Sequence, residues 1–455
     1  SRPQATGGPA VGGGAARRRA VRRTLGVVPS SSKTPQPTAS PCNGAQSRPD
    51  SGQDRRGPRP DGRGAPPHWL RVLGVWAGAA AVSLLILRLG ARDTPETVWA
   101  PASPTWTDHI SFWDSGWYNR ISSEGYPTDL PVDANGRVAQ NSWAFMPLLP
   151  ALARVLGWTG WSFYVCAALV ATAASAGAAV VMDRWLAPTV GERASLWAVA
   201  LAWSSPCAAV LQMPYAESLS LLLTAAALAL AGRGRFALAV PAIALAAFSR
   251  PIGLPLTMAL GAWWLWEVAR DRLPAARNGR LLPGSHPLDR REREGLLGLT
   301  VFSAACTLAW PMLAWLVTGR PDAYTATETA WRDGSLMPFA PWWDRSEWWV
   351  GVHLGWLLLA GILVAAIAGL SAPSLRRLGP AAWFWCAGYV VYLLMFFDPT
   401  ASIFRILLPL APAAWALALS SSPRRRLVLL AAGVIGQLFW ISWVWDASIA
   451  VRWVP

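Results

Sequence analysis

The sequence predicts an all-α polytopic membrane protein with about eleven transmembrane helices and a large first outer loop, and three observations carry that expectation. Of the 455 residues, 53% are hydrophobic and only 14% are charged, whereas a soluble globular chain carries about 25% charged residues. The apolar residues gather into runs of about twenty, the length that crosses a ~30 Å hydrocarbon layer. Basic residues form short clusters between those runs, where loop charges set membrane orientation. A soluble multi-domain reading is therefore excluded. So is a nucleic-acid footprint: of the formal charge of +15, the first 68 residues supply +9 from twelve basic and three acidic side chains.

Residues 1–67 are rich in Gly, Pro, Ser and Arg. They hold too little apolar surface to offset the entropy of ordering, and read as a disordered basic cytoplasmic tail ahead of a membrane domain over 68–455. Trp69 to Leu89 is the first candidate span, being longer than a signal-peptide core and lacking a small-residue cleavage pattern before Arg92. Further candidates follow at 161–182, 194–212, 215–232, 236–249, 252–269, 296–317, 350–370, 380–397, 403–420 and 427–445. The apolar stretch 143–158 is short for a crossing and carries Pro147, Pro150 and Arg154, so it reads as a re-entrant or interfacial helix.

Loop charges orient the chain. With the basic tail inside, loop 91–142 lies outside with three basic residues against seven acidic ones, and loop 319–349 lies outside with three against five. Loop 270–295 lies inside with seven arginines against four acids, as do Arg376, Arg377 and Arg424 to Arg426, and the C-terminus falls outside. Arg250 and Arg405 break the pattern at outer span ends. Charges there cost about 2.5 to 3.5 kcal/mol on insertion scales, so they belong against a polar cavity. Glu217 and Asp398 share the same level, although Asp398 before Pro399 reads first as the end of a helix.

The first outer loop contains "TWTDHISFWDSGWYNRISSEGYP". An interfacial aromatic belt explains its rings but not Asp108, Asp114 and Glu124 among them. Trp113 and Tyr118 offer flat apolar faces beside a carboxylate, which suits sugar or lipid-phosphate binding, and His109 is a candidate for phosphate or donor binding. Trp331, Trp342, Trp343, Trp348 and Trp349 in the second outer loop are candidates to cover an acceptor or a polyprenyl chain, or to form a belt. The five cysteines and four histidines are scattered without metal-type spacing. A divalent cation has only Asp108 and Asp114 to support it, six residues apart in a loop.

The segments "FWDSGWYNRISSEGYP", "FMPLLPALARVLG", "MPYAESLSLLLTAAALALAGRGRFALAVPAIALAAFSRPIG" and "FRILLPLAP" together resemble the PIG-V family of mannosyltransferases, within the GT-C superfamily of polytopic glycosyltransferases. The resemblance spans residues 105–260 and 398–412, roughly half the chain. It implies a GT-C-like enzyme that transfers mannose from polyprenyl-phosphate-mannose to a lipid-linked or cell-envelope acceptor on the outer face. The essential carboxylate of the first outer loop falls on Asp114, and the later motifs place Glu217, Arg250 and Arg405 among the substrate-binding residues. In eukaryotic members the acceptor is a glycosylphosphatidylinositol precursor; the Ala, Arg and Trp bias and the lack of a retention signal point here to a bacterial plasma membrane.

A hydroxyl acceptor needs a base, and Asp114 is the candidate. A leaving lipid phosphate needs preorganised cations, and Arg250 and Arg405 present planar forks suited to its oxygens. A base and a leaving group on opposite faces of the sugar predict inversion. The expected partners are a lipid-linked sugar donor, a lipid or glycan acceptor and membrane lipids, with no nucleic acid. The competing reading is a multi-span transporter or lipid flippase, which places ionisable groups near the bilayer midplane.

Overall fold

The computed structural model describes residues 66–92, 94–97, 100–272, 282–283, 285–332 and 337–446. The tail expected over 1–67 lies outside the described residues up to residue 65, as does the chain beyond 446. Among the described residues the regular structure is helical, with β pairing limited to one bridge between Val132 and Val138.

In chain order, α1 (His68–Gly90) leads into α2 (Trp106–Ile110), α3 (Asp114–Glu124) and α4 (Leu148–Leu156). Next come α5 (Phe163–Val190), α6 (Glu192–Trp203), α7 (Glu217–Ala231), α8 (Phe236–Ala247), α9 (Gly253–Ala269) and α10 (Arg290–Thr318). The second long loop holds α11 (Ala323–Thr329) and α12 (Ala340–Val350). The chain continues through α13 (Gly355–Ser371), α14 (Pro380–Phe396), α15 (Ile403–Ile406), α16 (Pro412–Ser420) and α17 (Pro423–Trp440).

Four helical segments are long and apolar enough to cross a membrane: α1, α5, α10 and α17 with its π-helical extension to Trp445. They make this an integral membrane protein. All eleven apolar runs contain helix, and the helices within them differ in length. Helices α7, α8, α9, α13 and α14 have 12 to 17 residues, and at 1.5 Å per residue even the longest reaches only about 26 Å. The run 194–212 divides into α6 and a 3-10 turn over Ala208–Gln212, and the run 403–420 bends by 71° between Ile403–Leu410 and Pro412–Ser420. Prolines 206, 214, 251 and 399 account for several interruptions, because each removes an amide donor. Irregular backbone away from water is tolerated where protein packs around it. Residues 207–216 are all buried.

Local chemistry sets the helix starts. Asp289 and Glu292 form a reciprocal capping box on α10, with Glu292 N–H donating to Asp289 Oδ1 at 2.8 Å and Asp289 N–H donating to Glu292 Oε2 at 3.0 Å. Thr105 and Asp108 do the same for α2, which accounts for Asp108 as a capping group. The segment expected to be re-entrant contains α4 and a 3-10 turn over Gly157–Thr159. Far from the long loops, buried Asp183 on α5 accepts from Ser195 Oγ at 2.6 Å and lies 3.0 Å from His68 Nε2, so its charge is satisfied.

Close helix packing relies on small residues. A Cβ at Gly388 on α14 would stand 2.9 Å from the Ala259 backbone nitrogen on α9, so glycine permits that approach. We expect Gly388→Val to lose about 1–3 kcal/mol through overpacking. Gly361→Ala, where nothing lies within 4 Å of the added carbon, should be neutral or stabilising. Thermal unfolding of the detergent-purified protein checks both.

Candidate active site

Trp113 opens the site. Its φ of +59° and ψ of −123° place a non-glycine residue in a region that usually demands glycine, at a cost of order 1–3 kcal/mol. The surrounding structure holds it there. Tyr215 donates its hydroxyl to the Phe112 carbonyl at 3.0 Å and accepts from the Asp114 N–H at 3.2 Å, while Trp113 Nε1 donates to the Trp445 carbonyl at 3.4 Å. This corner makes Asp114 the first residue of α3, where the helix dipole favours an acid.

Three interruptions elsewhere deliver its partners. Glu217 starts α7 directly after the buried irregular segment. Arg250 sits in the break between α8 and α9, beside Pro251. Arg405 lies on α15, within the bent run, with its guanidinium carbon 5.4 Å from the Tyr215 ring centroid.

Together they form a chain of alternating charge. Arg250 Nη1 and Arg405 Nη1 both meet Glu217 Oε1, the latter at 2.7 Å. Arg405 Nη2 donates to Asp114 Oδ2 at 2.5 Å. Two cations and two anions balance, which is what lets them be buried. Side-chain exposure is 3% at Glu217 and 8% at Arg405, rising to 17% at Arg250 and 19% at Asp114. The two inner members are thus fixed while the ends remain reachable.

Asp114 and Arg405 line a cavity of about 770 Å³ that Trp113, Trp117 and residues of the second long loop also border. The two loops meet over it. Asn141 Nδ2 donates to Thr327 Oγ1 at 2.9 Å, and Trp117 stacks on Phe145 at 5.8 Å and meets Trp331 at 5.8 Å. Arg345 of α12 donates to both oxygens of Asp398 at 2.6 and 2.7 Å. Trp349 Nε1 donates to the Pro399 carbonyl, and Trp342 Nε1 to the Leu393 carbonyl. Asp398 therefore does more than end α14: it ties the second loop to the segment leading to Arg405.

Of the residues expected from sequence, Asp114, Glu217, Arg250 and Arg405 converge, and Trp113 lines the cavity. Tyr118 lies behind it, buried against Leu149 and Ile121 and edge-on to Phe145 at 5.4 Å. It supports the wall instead of contacting a ligand, and burial pushes its phenol upward. His109 corrects the expectation of a binding role. The residue is 1% exposed, donates from Nδ1 to the Leu87 carbonyl at 3.2 Å, and packs edge-on to Phe112. The apolar side of α2 draws it into the core, where burial holds the imidazole below its ordinary value. Trp331 and Trp348 line the cavity, and Trp343, exposed like Trp348, is outside that lining. Sequence reasoning did not single out Glu328, Arg332 or Arg345; the spacing of Glu328, Trp331 and Arg332 over one helical turn was the available signal.

Removing Glu217 leaves two guanidinium groups facing each other in the interior. We expect Glu217→Gln to cost about 3–5 kcal/mol in thermal unfolding, far more than Arg120→Ala on the exposed side of α3. His109 gives a pH signature. The folded imidazole resists a proton that the unfolded one accepts, so its contribution is full above the ordinary value of 6.5 and is lost as pH falls toward the lowered folded value. His109→Asn should flatten that decline in melting temperature.

No protein-family model matches the chain, and no curated protein matches it. Among solved structures, ArnT from Cupriavidus metallidurans in the apo state aligns with a TM-score of 0.43 at 15% identity, over 78% of this chain and 62% of that one. Its form bound to undecaprenyl phosphate aligns at 0.45 and 16% identity, over 83% and 70%. The apo Archaeoglobus fulgidus oligosaccharyltransferase aligns at 0.44 and 15% identity, over 84% and 56%. The chain thus spans 62% and 56% of the length of the two apo proteins.

Proposed function

We propose that this protein is a membrane glycosyltransferase of the GT-C type that moves mannose from polyprenyl-phosphate-mannose to a lipid-linked or cell-envelope acceptor. The observation that carries this reading is the ion pair of Asp114 with Arg405 at the wall of a cavity roofed by both long loops. It puts a carboxylate and a phosphate-binding cation beside one another. The order of the motifs that resemble the PIG-V family supports the choice of mannose.

Each residue then has a defined task. The acceptor hydroxyl loses its proton to Asp114 as its oxygen bonds to the sugar carbon. Asp114 Oδ2 is occupied by Arg405, so Oδ1 is the oxygen for that proton. The bond from the sugar carbon to the phosphate oxygen breaks on the opposite side, and the electron pair leaves with the lipid phosphate. Arg405 and Arg250, already oriented by Glu217, meet the developing charge with little reorganisation. Attack opposite the leaving group inverts the sugar carbon. The loop charges support an orientation with this site and the C-terminus outside and the basic N-terminal segment in the cytoplasm, and the Ala, Arg and Trp bias supports a bacterial plasma membrane.

A transporter or flippase would move its substrate without breaking the bond between sugar and phosphate, so covalent sugar transfer separates the two readings. Asp114→Asn keeps the shape and removes the base, so kcat for transfer from polyprenyl-phosphate-mannose in membranes should fall by about 10²–10⁴-fold. Undiminished transfer would overturn the assignment. For orientation, a cysteine replacing Ser123, next to exposed Glu124 on α3, should react with an impermeant thiol reagent applied to intact cells; labelling only after permeabilisation would move the site to the cytoplasm.

A further inference from the structure

Three carboxylates line the cavity, and two are neutralised: Asp114 by Arg405 and Asp398 by Arg345. Glu328 differs. Among the described residues no guanidinium comes within the 4.0 Å of an ion pair with it. It stands at the end of α11, and the hydrogen bonds Ala330 N–H to Thr327 O and Arg332 N–H to Thr329 O, 3.1 and 2.9 Å, continue the winding beyond that helix. Glu328, Trp331 and Arg332, at i, i+3 and i+4, consequently share one face and all line the cavity.

Their chemistry is that of sugar recognition. Glu328 has the Tyr324 hydroxyl beside it as a hydrogen-bond partner, and a partly desolvated carboxylate without an ion-pair partner gains from further hydroxyl donors that replace lost water. Trp331 meets Trp117 at 65° and Phe145 at 75°, so neither ring is stacked parallel on it, and an indole covers the C–H face of a pyranose. Arg332 is positioned by donating from Nη1 to the Phe396 carbonyl at 2.5 Å, which spends one of its five N–H donors. An anionic ligand group would be repelled by Glu328. Burial pushes the Glu328 carboxyl above its ordinary range, against the pull of Tyr324, Arg332 and Arg250. Placement follows from the cavity itself: Glu328, Trp331 and Arg332 line it together with Asp114 and Arg405. The turn therefore shares a cavity with the end of the charge chain to which the proposed function assigns the phosphate, and the sugar attached to that phosphate is the one transferred.

We propose that the turn of Glu328, Trp331 and Arg332 is the subsite that reads the donor's sugar, an uncharged hexosyl group with neighbouring hydroxyls. This rests on the glycosyl-transfer reading of the cavity. It assigns the second long loop to donor selection and leaves the proton transfer to Asp114.

The test is equilibrium binding of two probes, polyprenyl phosphate and polyprenyl-phosphate-mannose, to the full detergent-purified chain. Glu328→Ala should weaken binding of the mannosyl probe by about tenfold or more while binding of polyprenyl phosphate changes less than about twofold. Glu328→Gln, which keeps one acceptor oxygen, should fall between. Trp331→Ala should also weaken only the mannosyl probe. Unchanged polyprenyl phosphate binding certifies that each variant is folded. Equal losses for both probes, or no loss for the mannosyl probe, would overturn the subsite, as would an effect of Glu328→Ala confined to the acceptor KM. A wild-type protein that binds neither probe would instead overturn the glycosyl-transfer reading, and the subsite with it.

Discussion

The chain Arg250–Glu217–Arg405–Asp114 is the constraint on which the loop-bearing end of this protein depends. Four charges in a row, two of them less than a tenth exposed, persist only because each is neutralised by the next. The arrangement fixes four distant parts of the sequence against one another: the corner at Trp113, the start of α7, the α8–α9 break and the bent run around α15. Geometry sufficient for chemistry follows from that mutual restraint. Arg405 cannot turn without giving up partners on both sides.

The same constraint explains why so many helices are short. Each charged member sits at an interruption, where backbone amides and carbonyls are released from the helical ladder and side chains of adjacent turns can diverge. A fully helical run through 203–217 would leave Glu217 without its position at the start of α7. Burial of 207–216 on all sides is the condition under which that irregular backbone survives away from water. Strain at Trp113 fits the same logic, being stored where Asp114 has to be aimed and held by Tyr215 from the buried irregular segment before α7.

Much of this was legible in the sequence. Scarcity of charge and the length of the apolar runs indicated a helical membrane protein, and the cost of burying charge singled out Glu217, Arg250 and Arg405 before their partners were known. What pairing they adopt was not legible, because it depends on bends that hydropathy cannot register: the 71° break after Leu410 lies inside a run that reads as one span. Asp398 looked like a helix terminator because its partner Arg345 lies 53 residues earlier in a loop. His109 looked like a ligand residue because a polar side chain in a loop carries no mark of burial, and only the packing of α2 reveals it. Glu328 and Arg332 were overlooked among ordinary outer-loop charges, since lining a cavity is a property of two loops together.

A structure with polyprenyl-phosphate-mannose bound to the Asp114→Asn protein tests the central claim most directly. The account predicts phosphate oxygens within hydrogen-bonding distance of Arg405 or Arg250, with the sugar carbon that bears the phosphate turned toward residue 114. Phosphate bound away from both arginines, with the sugar turned from residue 114, would contradict it.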